Sequence, residues 1–105
     1  MGQFAVYRNR NPRTKSALPL LVDIQTDLLE NLQTRVVIPL ARAAALTRRP
    51  MSNLTPTVRF EDVEYVILTP QLAGIAAKEL GAAVGDLTNE RQRIVAAVDF
   101  LLLGF

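Results

Sequence analysis

The segment Thr88–Phe105 constrains this chain most, because its apolar residues cannot all share one side of a helix. Ile94, Val95, Val98, Leu101 and Leu102 recur at helical spacing and mark a face for a core. The opposite face starts polar, with Arg91 and Asp99, and turns apolar at Phe100 and Leu103. The last six residues, FLLLGF, hold five large apolar side chains. Full burial of such a side chain is worth roughly 1.5–3 kcal/mol. A small domain covers part of that surface with its own core. The remainder is expected to meet a second subunit or a partner, the competing arrangement being a helix buried all round. Thr88 is the expected N-cap, with Glu90 in the first turn, and Gly104 suits a chain leaving a helix.

Upstream, the apolar period changes from helical to alternating. Phe4–Tyr7 reads as a short strand, and Leu20–Gln25 as another, with Leu20, Val22 and Ile24 on one face. Arg35–Leu40 is β-branched and compact, and its Pro39 fits a strand end or edge, since proline donates no ladder hydrogen bond. Asn9–Leu18 is polar and basic, with the turn signal Asn11-Pro12, and reads as a loop. Ala41–Ala45 fits a helical turn before Pro50. Thr57–Phe60, Glu61-Asp62 and Val63–Leu68 form a β-hairpin pattern. Gln71–Leu80 is divided: its alanines and Lys78-Glu79 favour helix, whereas Gly74, Pro70 and Gly81 oppose it. In the connection Thr26–Asn31, Leu28 and Leu29 stand adjacent between Asp27 and Glu30. A tight polar turn cannot send both to the core, so exposure of one or both is expected.

The 105 residues are expected to form one domain spanning 1–105, and half of them are apolar, enough for a core. No apolar stretch approaches the ~20 residues that span a bilayer, and MGQFAVYRNR lacks a secretory layout, so a cytoplasmic location is the default expectation. Asn53-Leu54-Thr55 fits a glycosylation sequon that stays silent there. There is no Cys and no His, which removes disulfides, Cys- or His-ligated metal, thiol nucleophiles and the usual general base. Asp23, Asp27 and Glu30 read as a solvated turn rather than a metal site. No cofactor and no metal are expected.

Net charge is only +2, but Arg8, Arg10, Arg13 and Lys15 crowd one loop and Arg42, Arg48 and Arg49 another. Such clusters fit either ordinary solvated loops or a surface for an acidic partner or nucleic acid. No aromatic residue interleaves with the second cluster, so single-strand stacking has little support.

Three blocks in order, QFAVY, LVDIQTDLLENLQTRVVIPL and GDLTNERQRIVAAVDFLLLGF, resemble the CcdB family, the toxins of bacterial toxin–antitoxin pairs. The middle block is the specific one. The likeness covers nearly the whole chain, with a longer Asn9–Leu18 loop than the best-known member has. It implies a mainly β fold: a small SH3-like barrel of the CcdB, MazF and Kid type, an antiparallel sheet plus one C-terminal helix. It also implies a largely extended Gln71–Leu80 and a symmetric homodimer formed through the helix end.

The resemblance further implies a non-enzymatic toxin that binds the GyrA subunit of DNA gyrase and traps the enzyme on cleaved DNA. By similarity, Leu103, Gly104 and Phe105 correspond to the toxicity-determining end, Leu28 and Leu29 to an exposed aliphatic pair, and Asp99 to a contact on the helix. Gln3, Phe4 and Thr26 border the same surface. The implied second partner is an acidic CcdA-like antitoxin whose disordered segment folds onto the toxin. Arg8, Arg10, Arg13, Arg42, Arg48 and Arg49 are its expected landing sites. The resemblance also implies that operator DNA is contacted only through the antitoxin. The chain departs from the best-known member at Leu103 (Trp there), Phe105 (Ile), Asp99 (Asn) and Arg91 (acidic). Two other functions compete: a MazF-like endoribonuclease, for which no convincing base is present, and a non-toxic relative that binds only antitoxin.

Overall fold

A computed structural model describes residues 2–105. Its strands are β1 (Ala5–Asn9), β2 (Leu20–Asp23), β3 (Thr34–Arg42), β4 (Thr57–Phe60), β5 (Val63–Ile67), β6 (Ala73–Ala76) and β7 (Leu80–Asp86), followed by the helix α1 (Arg91–Leu103). The strands form one antiparallel sheet in the order β4-β5-β3-β2-β1-β7, with β6 also paired to β3. The sheet curls into a half-barrel closed on one side by α1.

The long strand β3 organises this curl. One side of it pairs with β2, Val37 opposite Asp23 through Leu40 opposite Leu20. The other side pairs first with β6, over Thr34–Val37, and then with β5, over Leu40–Arg42. Pro39 therefore lies inside the central strand, not at an end or edge. It is tolerated because it falls in the gap between the two partners, where its carbonyl accepts from Leu68 N at 3.0 Å. The expected helical turn at Ala41–Ala45 shrinks to a 3₁₀ turn at Ala43–Ala45, because Ala41 and Arg42 continue the ladder with β5.

The β4–β5 hairpin turns at Glu61 and Asp62, with φ of 51° and 66°. Two consecutive left-handed residues give the turn whose twist matches that of the flanking strands. Within Gln71–Leu80 the extended form prevails, as β6 followed by a 3₁₀ turn at Ala77–Glu79. A helix of about ten residues is marginal by itself. Pairing with β3 instead satisfies the backbone and half-buries Ile75. The strand β7 was not legible in Gly81–Asp86, which carries small residues and no apolar alternation.

Both faces of the sheet carry buried apolar residues. Phe4, Val6, Leu20, Val22, Ile38, Leu40, Val58, Phe60, Tyr65 and Ile67 pack with Leu87 and Ile94 in the main core under α1. Tyr7, Leu21, Val37 and Leu80 form a smaller cluster on the reverse face. Period-two alternation sends Leu20 and Val22 one way and Leu21 the other, which explains the unbroken apolar run in β2.

On α1 the inward stripe is Ile94, Ala97 and the half-buried Val98. Val95, Leu101 and Leu102 are exposed, contrary to the face expected from spacing. Spacing alone does not choose between neighbouring stripes, and the sheet buries the one that carries Ile94 and Ala97. Thr88 does not act as the N-cap. Residues Thr88–Glu90 form a 3₁₀ turn, and Asp86 Oδ1 accepts from Thr88 N at 3.0 Å. Gly104 ends the helix in the left-handed region, φ 83°, with its N–H donating to Phe100 O at 2.9 Å.

Candidate functional site

Among the described residues Leu28 is the most exposed large apolar one, at 92%, and Leu29 is about half exposed. Polar side chains on both sides hold the segment that carries them. Residues Asp27–Leu29 form a 3₁₀ turn, entered through Thr26, whose Oγ1 accepts from Leu28 N at 3.3 Å. The backbone N–H of Gln3 donates to Asp27 Oδ1 at 2.8 Å, and Gln3 Nε2 donates to Ile24 O at 3.2 Å. The polar letters of the QTDLL motif are thus spent on fixing the backbone, and its aliphatic letters are left facing water.

Gln3, Thr26, Leu28 and Leu29 come together as one hydrogen-bonded unit. Phe4 joins them through its backbone, which donates to Asp23 O and accepts from Leu87 N. Its ring lies in the main core and its φ is 69°. Phe4 therefore supports this surface from beneath, with its side chain buried and not displayed on it.

The helix end forms a second exposed apolar group. Leu102, Leu103 and Phe105 project outward, Phe105 at 87% exposure, and Asp99 is exposed one turn earlier. Phe105 and Phe100 border a cleft of about 420 Å³ shared with Ser52, Asn53, Arg93 and Ala96. Arg93 fixes the wall of this cleft by donating to Glu90 Oε1 at 3.0 Å and Thr57 O at 2.8 Å.

Arg8, Arg10, Arg13, Arg42, Arg48 and Arg49 are all exposed, and among the described residues none of them pairs with a carboxylate. Arg8 lies in β1 and Arg42 ends β3, which corrects their placement in loops; Arg10, Arg13, Arg48 and Arg49 do sit in the connections. Arg10 and Arg13 rim a groove of about 770 Å³ on the reverse face of the sheet, whose floor includes Leu21, Val37, Pro39 and Ile75. Lys78 adds a third cation to that rim and Glu79 an acid. Arg48 and Arg49 do not line this groove.

Asp23 is fully buried, which corrects its assignment to a solvated turn. It pairs with the equally buried Arg35, Nε to Oδ2 at 2.7 Å. That hydrogen bond raises the pKa of the guanidinium further. Tyr7 lies nearby, and burial pushes its hydroxyl above the ordinary value of 10.0. Arg35 was unread in the sequence as anything but the start of a strand. The available signal was the period-two register placing Arg35 and Val37 on one face, with Asp23 opposite Val37. Among the described residues no group of three or more His, Cys, Asp or Glu is placed to hold a metal ion. No helix there is long and apolar enough to cross a membrane.

A family model described as CcdB protein matches residues 3–104. With that match over nearly its whole length, and with the curled antiparallel sheet and terminal helix in place, the chain belongs to the CcdB family of toxins of toxin–antitoxin pairs.

Proposed function

We propose that this chain is a gyrase poison: a symmetric homodimer that binds the GyrA subunit of DNA gyrase and traps the cleaved-DNA complex, without being an enzyme. The observation that carries the reading is the exposure of Leu28 on a braced turn, together with Leu103 and Phe105 at the helix end. Apolar side chains held facing water are suited to act as interface anchors, and a few such anchors carry most of a binding energy. A two-fold partner is matched by a toxin surface that repeats about its own two-fold axis. Leu28, Leu29, Asp99, Leu103, Gly104 and Phe105 form the contact set, with Gln3 and Thr26 at its border.

The acidic antitoxin neutralises the toxin by folding over the arginine-bearing loops, and the two together repress their operon, with DNA contacted through the antitoxin. Unpaired cations beside the apolar floor of the groove suit a segment with acidic and aliphatic residues. A cytoplasmic location follows from a gyrase target.

The decisive experiment incubates the purified protein with gyrase, ATP and supercoiled plasmid. Linear DNA released by denaturing the complex is the expected product. Intact plasmid, from a folded protein and gyrases of two bacterial sources, overturns the target. Degradation of RNA by the same preparation transfers the reading to the ribonuclease branch.

A further inference from the structure

We infer that Gln25, held by the buried Asp23–Arg35 pair, is a positioning residue that sets the conformation in which Leu28 and Leu29 meet their target. The inference rests on the proposed function for the identity of that target, and on geometry for the rest. Gln25 is itself buried and its side-chain amide spans the turn. Its Nε2 donates to Leu29 O at 3.1 Å, at the far end of the exposed segment. Its Oε1 accepts from Val36 N at 3.1 Å, on the central strand. One side chain therefore ties the exposed turn to the most extensively paired strand in the sheet.

Gln25 is fixed in turn from below. Its backbone N–H donates to Asp23 Oδ1 at 2.9 Å, and its carbonyl accepts from Arg35 Nη2 at 3.2 Å. The Asp23 carboxylate uses one oxygen for Arg35 and the other for Gln25. The relay runs from the ion pair through Gln25 to the carbonyl of Leu29. A loop that presents apolar anchors binds more tightly when its bound conformation is already formed, because less ordering entropy is lost on association. The outer braces through Leu28 N–H and Gln3 N–H are exposed, whereas the two hydrogen bonds of the Gln25 side chain are part-buried, and a hydrogen bond strengthens as water is excluded.

Gln25→Glu tests this. The variant keeps the side chain's length and the acceptor for Val36 N–H, but removes the donor to Leu29 O. Affinity for the purified gyrase A subunit is measured in a double-mutant cycle with Leu28→Ala, alongside amide hydrogen exchange at Leu28 and Leu29. The expected results are faster exchange at both amides and binding weakened about tenfold. With Leu28 already Ala, Gln25→Glu is expected to cost about twofold at most, since a positioning residue acts through the side chain it positions. Equal losses in both backgrounds, or unchanged binding and exchange, overturn the inference. Should Gln25→Glu fail to fold, Gln25→Met, which keeps the side chain's length without its amide, enters the same cycle with the same criteria. Wild-type protein that ignores the gyrase A subunit overturns the target instead. The exchange measurement then decides the positioning role by itself, with unchanged protection counting against it.

Discussion

Arg35 Nε lies 2.7 Å from Asp23 Oδ2, and both side chains are wholly removed from solvent. Burying two charges is costly, and the pair survives because Gln25 satisfies further lone pairs and donors around it. Arg35 Nη1 has no hydrogen-bond partner among the described residues, so the carboxylate is its main compensation. Removing either member leaves a buried charge unpaired. Arg35→Ala or Asp23→Ala should each destabilise the protein by about 3–5 kcal/mol, whereas Arg35→Met with Asp23→Leu should recover much of that loss. Urea unfolding of the three variants checks the order, and a double variant as unstable as the singles contradicts it.

Two glycines should respond oppositely to alanine. A Cβ at Gly81 would lie 2.7 Å from the backbone carbonyl of Arg8, which the β1–β7 pairing holds in place. A Cβ at Gly74 meets nothing within 4 Å. Gly81→Ala should cost about 1–3 kcal/mol through forced backbone displacement. Gly74→Ala should be neutral or stabilising by up to about 1 kcal/mol, by narrowing the unfolded ensemble. Thermal melts of the two variants give the comparison directly.

Asp86 ties the start of the helical segment to β7, and its hydrogen bonds to Thr88 hold its carboxyl below the ordinary value of 3.8. A depressed folded pKa means a stabilisation present above that ordinary value and lost as pH falls through the lower folded one. Asp86→Ala should lower the melting temperature at pH 7, and the gap from wild type should close in the acid limb below pH 3.8. Thr88→Ala should have the smaller effect at pH 7. A gap independent of pH would mean that Asp86 acts through packing instead.

Deleting Leu103-Gly104-Phe105 removes side chains that lie largely in solvent. The circular dichroism spectrum should be retained and the melting temperature should move by only a few degrees, because the inward stripe at Ile94 and Ala97 is untouched. Plasmid linearisation by gyrase should disappear. Undiminished cleavage by the truncated protein would remove the tail from the contact set.

Charge reversal at the arginines separates the two proposed surfaces. Arg10→Glu with Arg13→Glu, at the rim of the groove, should weaken the acidic antitoxin more than it weakens gyrase binding, as should Arg48→Glu with Arg49→Glu. The losses should shrink in high salt. The reverse order in calorimetry would exchange the two faces.

The sequence by itself determined the alternating strands, the Glu61-Asp62 hairpin, the terminal helix with its Gly104 stop, and the exposure of one or both of Leu28 and Leu29. These rest on local chemistry: the period of apolar residues, the residues that close turns, and the impossibility of hiding two adjacent aliphatics in a polar connection. Within Gln71–Leu80 the residue propensities were divided, and pairing with β3 made Ala73–Ala76 a strand; tertiary structure likewise decided that Pro39 sits unharmed within the central strand, that Ala97 and not Val95 faces the core, and that Phe4 is buried. It also turned Asp23 and Arg35, twelve residues apart, into one buried pair beneath the exposed turn. In each of these cases the outcome depends on which strand or face lies opposite, and long-range pairing free energy overrides the modest local preference of the residues involved.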